Sequence, residues 1–102
     1  MIDRLEKMLA DGRDDAMLRF GLGSAYFNKE DFESAITHLE ACISQDENYS
    51  AAYKLLGKAY FKLNDDEAAR RVFEKGLSIA GAQGDKQPEK EMSVFLKKIS
   101  GR

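Results

Sequence analysis

The segment from Leu22 to Ala35, LGSAYFNKEDFESA, returns 34 residues later as LGKAYFKLNDDEAA, from Leu56 to Ala69. Leu, Gly, Ala, Tyr, Phe, Asp, Glu and Ala recur at matching places. A fixed period of this length marks one structural unit used twice. Such a unit leaves apolar surface that only its neighbour can cover, so the copies stack.

Apolar spacing says what the unit is made of. Ile2, Leu5, Met8 and Leu9 fall on one helical face, and Gly12 follows as a stop. Asp14 or Asp15 can cap a second helix, AMLRFGLGSAYFNK, with Leu18, Leu22, Ala25 and Tyr26 as its stripe. Asp31 opens FESAITHLEACISQ, whose stripe is Phe32, Ala35, Ile36, Leu39, Cys42 and Ile43. The pattern restarts in AAYKLLGKAYFKL and, after Asn64 and Asp65, in EAARRVFEKGLSIAG. Gly81 and Gly84 mark the next boundary, and Asp85 caps a last helix with Pro88 in its first turn. No segment alternates as a strand does. The expectation is six helices joined by short turns, with sequential helices as antiparallel neighbours.

Composition narrows the function classes. The chain has 102 residues, 43% of them hydrophobic, enough for one small domain. Charged residues make up 33%, but the net charge is only −2, which argues against a general nucleic-acid binder. Cys42 is the single cysteine and has no internal partner, in keeping with a reducing, cytoplasmic setting. Charges interrupt the N-terminal segment MIDRLEKMLADGRD, unlike a signal peptide, and no apolar run is long enough to span a membrane.

Laid at the 34-residue offset, Ala16–Tyr49 aligns with Ser50–Gln83. The alignment resembles the tetratricopeptide repeat (TPR) family, whose unit is a helix-turn-helix of that length. Leu22, Gly23 and Tyr26, and again Leu56, Gly57 and Tyr60, match the family's Leu-Gly-x-x-Tyr signature. Ala35 and Ala69 take the small position of the second helix, and Leu39 and Phe73 its large apolar position. Cys42 and Gly76 share the next small position. Tyr53 stands where the family often has Trp or Tyr, and Arg19 departs from it. Glu47 replaces a favoured proline in the turn DENYS, so that turn is less rigidly set.

The resemblance implies an all-α fold of TPR-type antiparallel repeats forming a short right-handed superhelix. It divides the chain into a leading helix (1–12), a first unit (16–49), a second unit (50–83) and a C-terminal capping helix (85–100). Lys90 and Glu91 stand where Leu-Gly would recur in a third unit. Two units alone are marginal, and the flanking helices supply the missing cover.

In this family the first helix of each unit lines a concave groove for extended or helical peptides. By position, the groove here is lined by Met17, Phe20, Ser24, Phe27 and Asn28, then by Ala51, Lys54, Lys58, Phe61 and Lys62. Lys54, Lys58 and Lys62 follow i, i+4 spacing and repel one another unless something neutralises them. A basic groove with aromatics suits an acidic peptide or a C-terminal carboxylate; a solvated lysine face balanced by carboxylates elsewhere is the plainer reading, as is packing for Phe20 and Phe27. Some members bind chaperone C-termini through a clamp of Lys, Asn, Asn, Lys and Arg. Phe20, Ser24 and Leu55 depart from it, so that property does not carry over.

No catalytic set emerges. His38 and Cys42 lie at i, i+4, but two ligands are too few for a closed zinc site, and a packed thiol is inert. His38 reads as a half-exposed packing residue. Asp14, Asp15, Asp65 and Asp66 sit at helix starts, where capping explains them. The expected protein is not an enzyme and takes no cofactor or metal. It is a protein–protein interaction module for a protein or peptide, a monomer or weak homodimer that binds neither nucleic acid nor membrane. A self-associating structural module or a non-catalytic accessory subunit of an enzyme complex are the alternatives.

Overall fold

The computed structural model describes residues 1–101. Among them the chain forms α1 (Ile2–Ala10), α2 (Ala16–Asn28), α3 (Phe32–Gln45), α4 (Ser50–Lys62), α5 (Asp66–Gln83) and α6 (Lys86–Ser100), with no strand. Each helix packs chiefly on its neighbours in sequence, α2 with α3 and α4 with α5 most extensively, and α6 also reaches back to α4. The resulting stack is elongated, 43 × 28 × 18 Å.

The two repeated turns use the same chemistry. Asp31 and Asp65 each accept the backbone N–H three residues on, from Ser34 and Ala68, both at 3.2 Å. The residue before each cap, Glu30 and Asn64, adopts φ +63°. Asp31 N–H donates to the Tyr26 carbonyl and Asp65 N–H to the Tyr60 carbonyl, each at 3.0 Å, closing a left-handed C-terminal motif. One short turn thereby ends one helix and starts the next.

The glycines of the signature sit at close approaches. A Cβ on Gly23 would come within 2.6 Å of the Leu39 side chain, and one on Gly57 would enter the ring of Phe73. Leu22, Leu39 and Phe73 are fully buried, so the missing Cβ makes room for the largest core side chains. The core is continuous: Ile43, Tyr60 and Val72 join the cluster around Leu39 and Leu56 to that around Phe73 and Met92.

Some expectations change. Gly81 is not a boundary: α5 runs on to Gln83, and Gly84 at φ +73° ends it. Asp85 precedes α6 but does not cap it with its side chain, which instead accepts from Ser50 Oγ at 2.7 Å and ties α6 to the start of α4. Of the acidic pair before α2, Asp15 is the cap, accepting from Leu18 N–H at 2.8 Å, and Asp14 does something else. The turn that lacks its proline is held by Asp46, whose carboxylate accepts from Asn48 N–H at 3.0 Å. Tyr53 Oη donates to the Glu47 carbonyl at 2.9 Å.

Candidate functional site

The residues assigned to a groove lie on α2 and α4, and Lys58 shows that these helices share a face. Its Nζ stands 5.6 Å from the ring centre of Phe27 on α2. On the other side it is 5.8 Å from Phe95 on α6. Cations are attracted to aromatic faces at these distances. Phe95 also meets Phe61 edge-on at 5.3 Å, stacks on Phe73 at 5.3 Å, and lies under Lys98 Nζ at 4.9 Å. The face therefore has three walls, α2, α4 and α6.

Reading from the N-terminal end, Met17 is 69% exposed. Phe20 is half-buried and stacked on Tyr49 at 5.0 Å, while Phe27 packs edge-on against Phe32 at 5.2 Å. Ser24 and Ala51 are half-buried, and Asn28 and Lys62 are exposed. The three lysines of the stripe differ. Lys54 Nζ donates to Glu91 of α6 at 3.3 Å, in a partly shielded pair, so its charge is committed to holding α6. Among the described residues no carboxylate pairs with Lys58, Lys62 or Lys98.

Phe95 and Lys98 of the last helix lie outside the groove set expected from the sequence, yet a signal for them was there. Phe27, Phe61 and Phe95 are spaced by the same 34 residues as the repeat. The last helix thus keeps the ring of the unit after losing its Leu-Gly.

A second polar cluster joins α1, α2 and α3. Arg19 donates to both oxygens of Asp14 at 2.8 and 2.9 Å, and Gln45 Nε2 donates to Asp14 at 2.8 Å. The Arg19 and Gln45 bonds hold the Asp14 carboxyl well down, at about 2. Arg19 Nη1 lies 3.1 Å from His38 Nδ1, and His38 stacks on Tyr26 at 5.5 Å. Tyr26 Oη donates to Glu6 at 3.2 Å, and Glu6 lies 3.8 Å from His38 Nε2.

His38 is consequently buried, not half-exposed as its place at the edge of the apolar stripe implied. Desolvation lowers its pKa, the Arg19 charge adds to this, and Glu6 and Asp14 oppose it. Cys42 is fully buried, and desolvation pushes its thiol up to about 11. Both ring nitrogens of His38 face protein groups, and Cys42 is out of reach of solvent. Through Glu6 the cluster ties α1 to Tyr26 of α2 and His38 of α3. Among the described residues no group of three His, Cys, Asp or Glu could hold a metal ion, and no helix is long and apolar enough to cross a membrane.

Comparison with known proteins agrees with this architecture. Two tetratricopeptide repeat family models match the chain, over residues 2–48 and 29–83. A TPR repeat-containing protein of Pseudomonas aeruginosa is 54% identical, covering 97% of this chain and 94% of that protein. The solution structure of a Bordetella parapertussis protein is 43% identical, with TM-score 0.86 over 98% of this chain and 87% of that one. The first TPR of Spaghetti, bound to the HSP90 peptide SRMEEVD, is 29% identical with TM-score 0.82, over 98% of this chain and 75% of that one.

Proposed function

The chain belongs to the tetratricopeptide repeat family, and from that premise we propose that it is a protein–protein interaction module whose α2/α4/α6 face is a concave groove for a peptide segment of a partner. The observation that carries the reading is Lys58, a cation with no carboxylate partner among the described residues, set near the rings of both Phe27 and Phe95. With Lys62 and Lys98 it makes the face basic, although the chain as a whole is acidic. An acidic peptide would neutralise charges that otherwise repel one another at i, i+4 spacing, and the rings beside them would take its apolar side chains.

A structurally similar TPR holds an HSP90 peptide with paired glutamates, which favours the acidic class for this chain too. The same chaperone is not proposed, because Phe20, Ser24 and Leu55 replace the polar clamp positions. Recognition here falls instead to Lys58, Lys62, Phe27 and the exposed Met17. No reaction is assigned. The single, buried Cys42 fits a reducing, cytoplasmic setting.

The test is fluorescence anisotropy with a library of labelled acidic peptides and their charge-neutral counterparts. Wild type should prefer the acidic set, and Lys58→Glu with Lys62→Glu should lose that preference by about tenfold or more. Lys54 is left intact because reversing its charge would also break its pair with Glu91 of α6. Equal affinity of the double variant for the acidic set would overturn the proposal.

A further inference from the structure

Away from that face, charge is divided unequally between two helices. Residues 30–53 carry Glu30, Asp31, Glu33, Glu40, Asp46 and Glu47, and no Lys or Arg. The solvent side of α6 is the reverse. Lys86, Lys90, Lys97 and Lys98 are exposed, whereas Glu89 is half-buried against Gly81 and Glu91 is turned in to Lys54.

Both charged surfaces are stripes along one helix, of opposite sign. On α6, Lys86, Lys90, Val94 and Lys97 step by four, four and three residues, which makes one stripe. Val94 in its middle is 45% exposed, among the few large apolar side chains so open. On α3, Glu33, Thr37, Glu40 and Ser44 step by four, three and four, are all exposed, and lead on to Glu47. Alongside this acidic stripe runs a trough of about 390 Å³ between α3 and α5. Tyr53 and Leu56 line it together with Ile43 and Val72.

We propose that the occupant of this trough is a second copy of the chain: the lysine stripe of its α6 lies along the acidic stripe of α3, with Val94 over the apolar trough. The far rim fixes which wall is used. Lys75 and Arg71 stand on the α5 side, Arg71 paired with Glu67 at 3.2 Å, and both repel the incoming lysines toward α3. The two halves of the contact are different surfaces, so a pair joined by one contact still has one α3 stripe and one α6 stripe free, and further copies can add head to tail. Neither stripe includes Phe27, Lys58, Lys62, Phe95 or Lys98, so the charge reversals below leave the residues named for peptide binding in place, and self-association and peptide binding can fail separately.

Sedimentation velocity over a range of concentrations tests this. The α6 variant is Lys86→Glu, Lys90→Glu and Lys97→Glu. The α3 variant is Glu33→Lys, Ser44→Lys and Glu47→Lys, which spares Glu40 and its 2.8 Å bond from Tyr60. All six positions are exposed, and far-UV circular dichroism with thermal melting verifies that both variants stay folded. Wild type is expected to self-associate, about tenfold more weakly at ~0.5 M than at ~0.05 M salt. Each variant alone should be monomeric at the same concentrations, and an equimolar mixture should regain association because the reversed stripes again pair opposite charges. Monomeric wild type, association untouched by either reversal, or a folded mixture that stays monomeric would each overturn the proposal.

Discussion

Arg19 Nη1 stands 3.1 Å from His38 Nδ1, and this contact assigns the histidine's proton. A guanidinium only donates, so Nδ1 accepts and the ring N–H sits on Nε2, on the side of Glu6. Protonating Nδ1 would set two donors against each other in a buried place.

This predicts a pH dependence. Burial holds the folded pKa of His38 below its ordinary 6.5, with Arg19 acting in the same direction and Glu6 and Asp14 against. Tyr26, stacked on the ring, stays protonated because burial and Glu6 raise its pKa. The unfolded chain therefore binds more protons, so the contribution is complete above about pH 6.5 and shrinks as pH falls below it. Urea unfolding at about pH 7.5 and 5.5 should show a larger loss for wild type than for His38→Gln, which stays neutral. Asp14 does not confuse the comparison, because its own loss begins only as pH falls through 3.8 toward about 2.

Glu30 holds a left-handed φ of +63° without the side chain that suits it. Glu30→Gly should stabilise the fold by about 0.5–1 kcal/mol, the left-handed penalty outweighing the added freedom of the unfolded chain. Asn64→Gly, at the equivalent turn, should change less because Asn tolerates this conformation. A chemical denaturation midpoint that falls for Glu30→Gly would contradict this.

The same Gly→Ala change should have opposite signs at two helical positions. At Gly57 the new methyl would overlap the Phe73 ring, and overpacking should cost about 1–3 kcal/mol. At Gly21 the nearest atom is Leu5 Cδ1 at 3.8 Å, an ordinary contact. There the helix-propensity gain of up to about 1 kcal/mol should prevail. Thermal melts of the two single variants, compared with wild type, decide it.

Cys42 should react with a disulfide reagent only through unfolding. Its thiol lies at about 11 and has no exposed surface, so the native protein at about pH 8 offers little thiolate. The rate should rise by orders of magnitude in denaturing urea, toward that of a free cysteine. Fast labelling under native conditions would show that α3 opens locally.

Much of this was legible in the chain itself. Helix stripes are local: an apolar residue every three or four positions specifies a helix and its buried side wherever it ends up. The 34-residue offset then specifies stacking, Asp31 and Asp65 announce their turns through side-chain chemistry, and Gly84 does so through the left-handed backbone it allows. Even the place of Phe95 beside Phe27 and Phe61 was marked by their common 34-residue spacing.

Charge partners were not legible, and the groove shows why. Lys54, Lys58 and Lys62 are equivalent by local spacing, but Glu91 takes Lys54 from 37 residues away while Phe27 and Phe95 flank Lys58. Asp85 looks like an ordinary cap until Ser50, 35 residues earlier, claims its carboxylate. His38 sits at the margin of its own helix's stripe, and only Arg19 and Tyr26 of α2 and Glu6 of α1 enclose it. The sequence determined the helices, the period and the close approaches, because those follow from neighbours along the chain. The tertiary structure decided which charges are spent and which remain on the surface, because electrostatic pairing depends on distances that only the packed helices set.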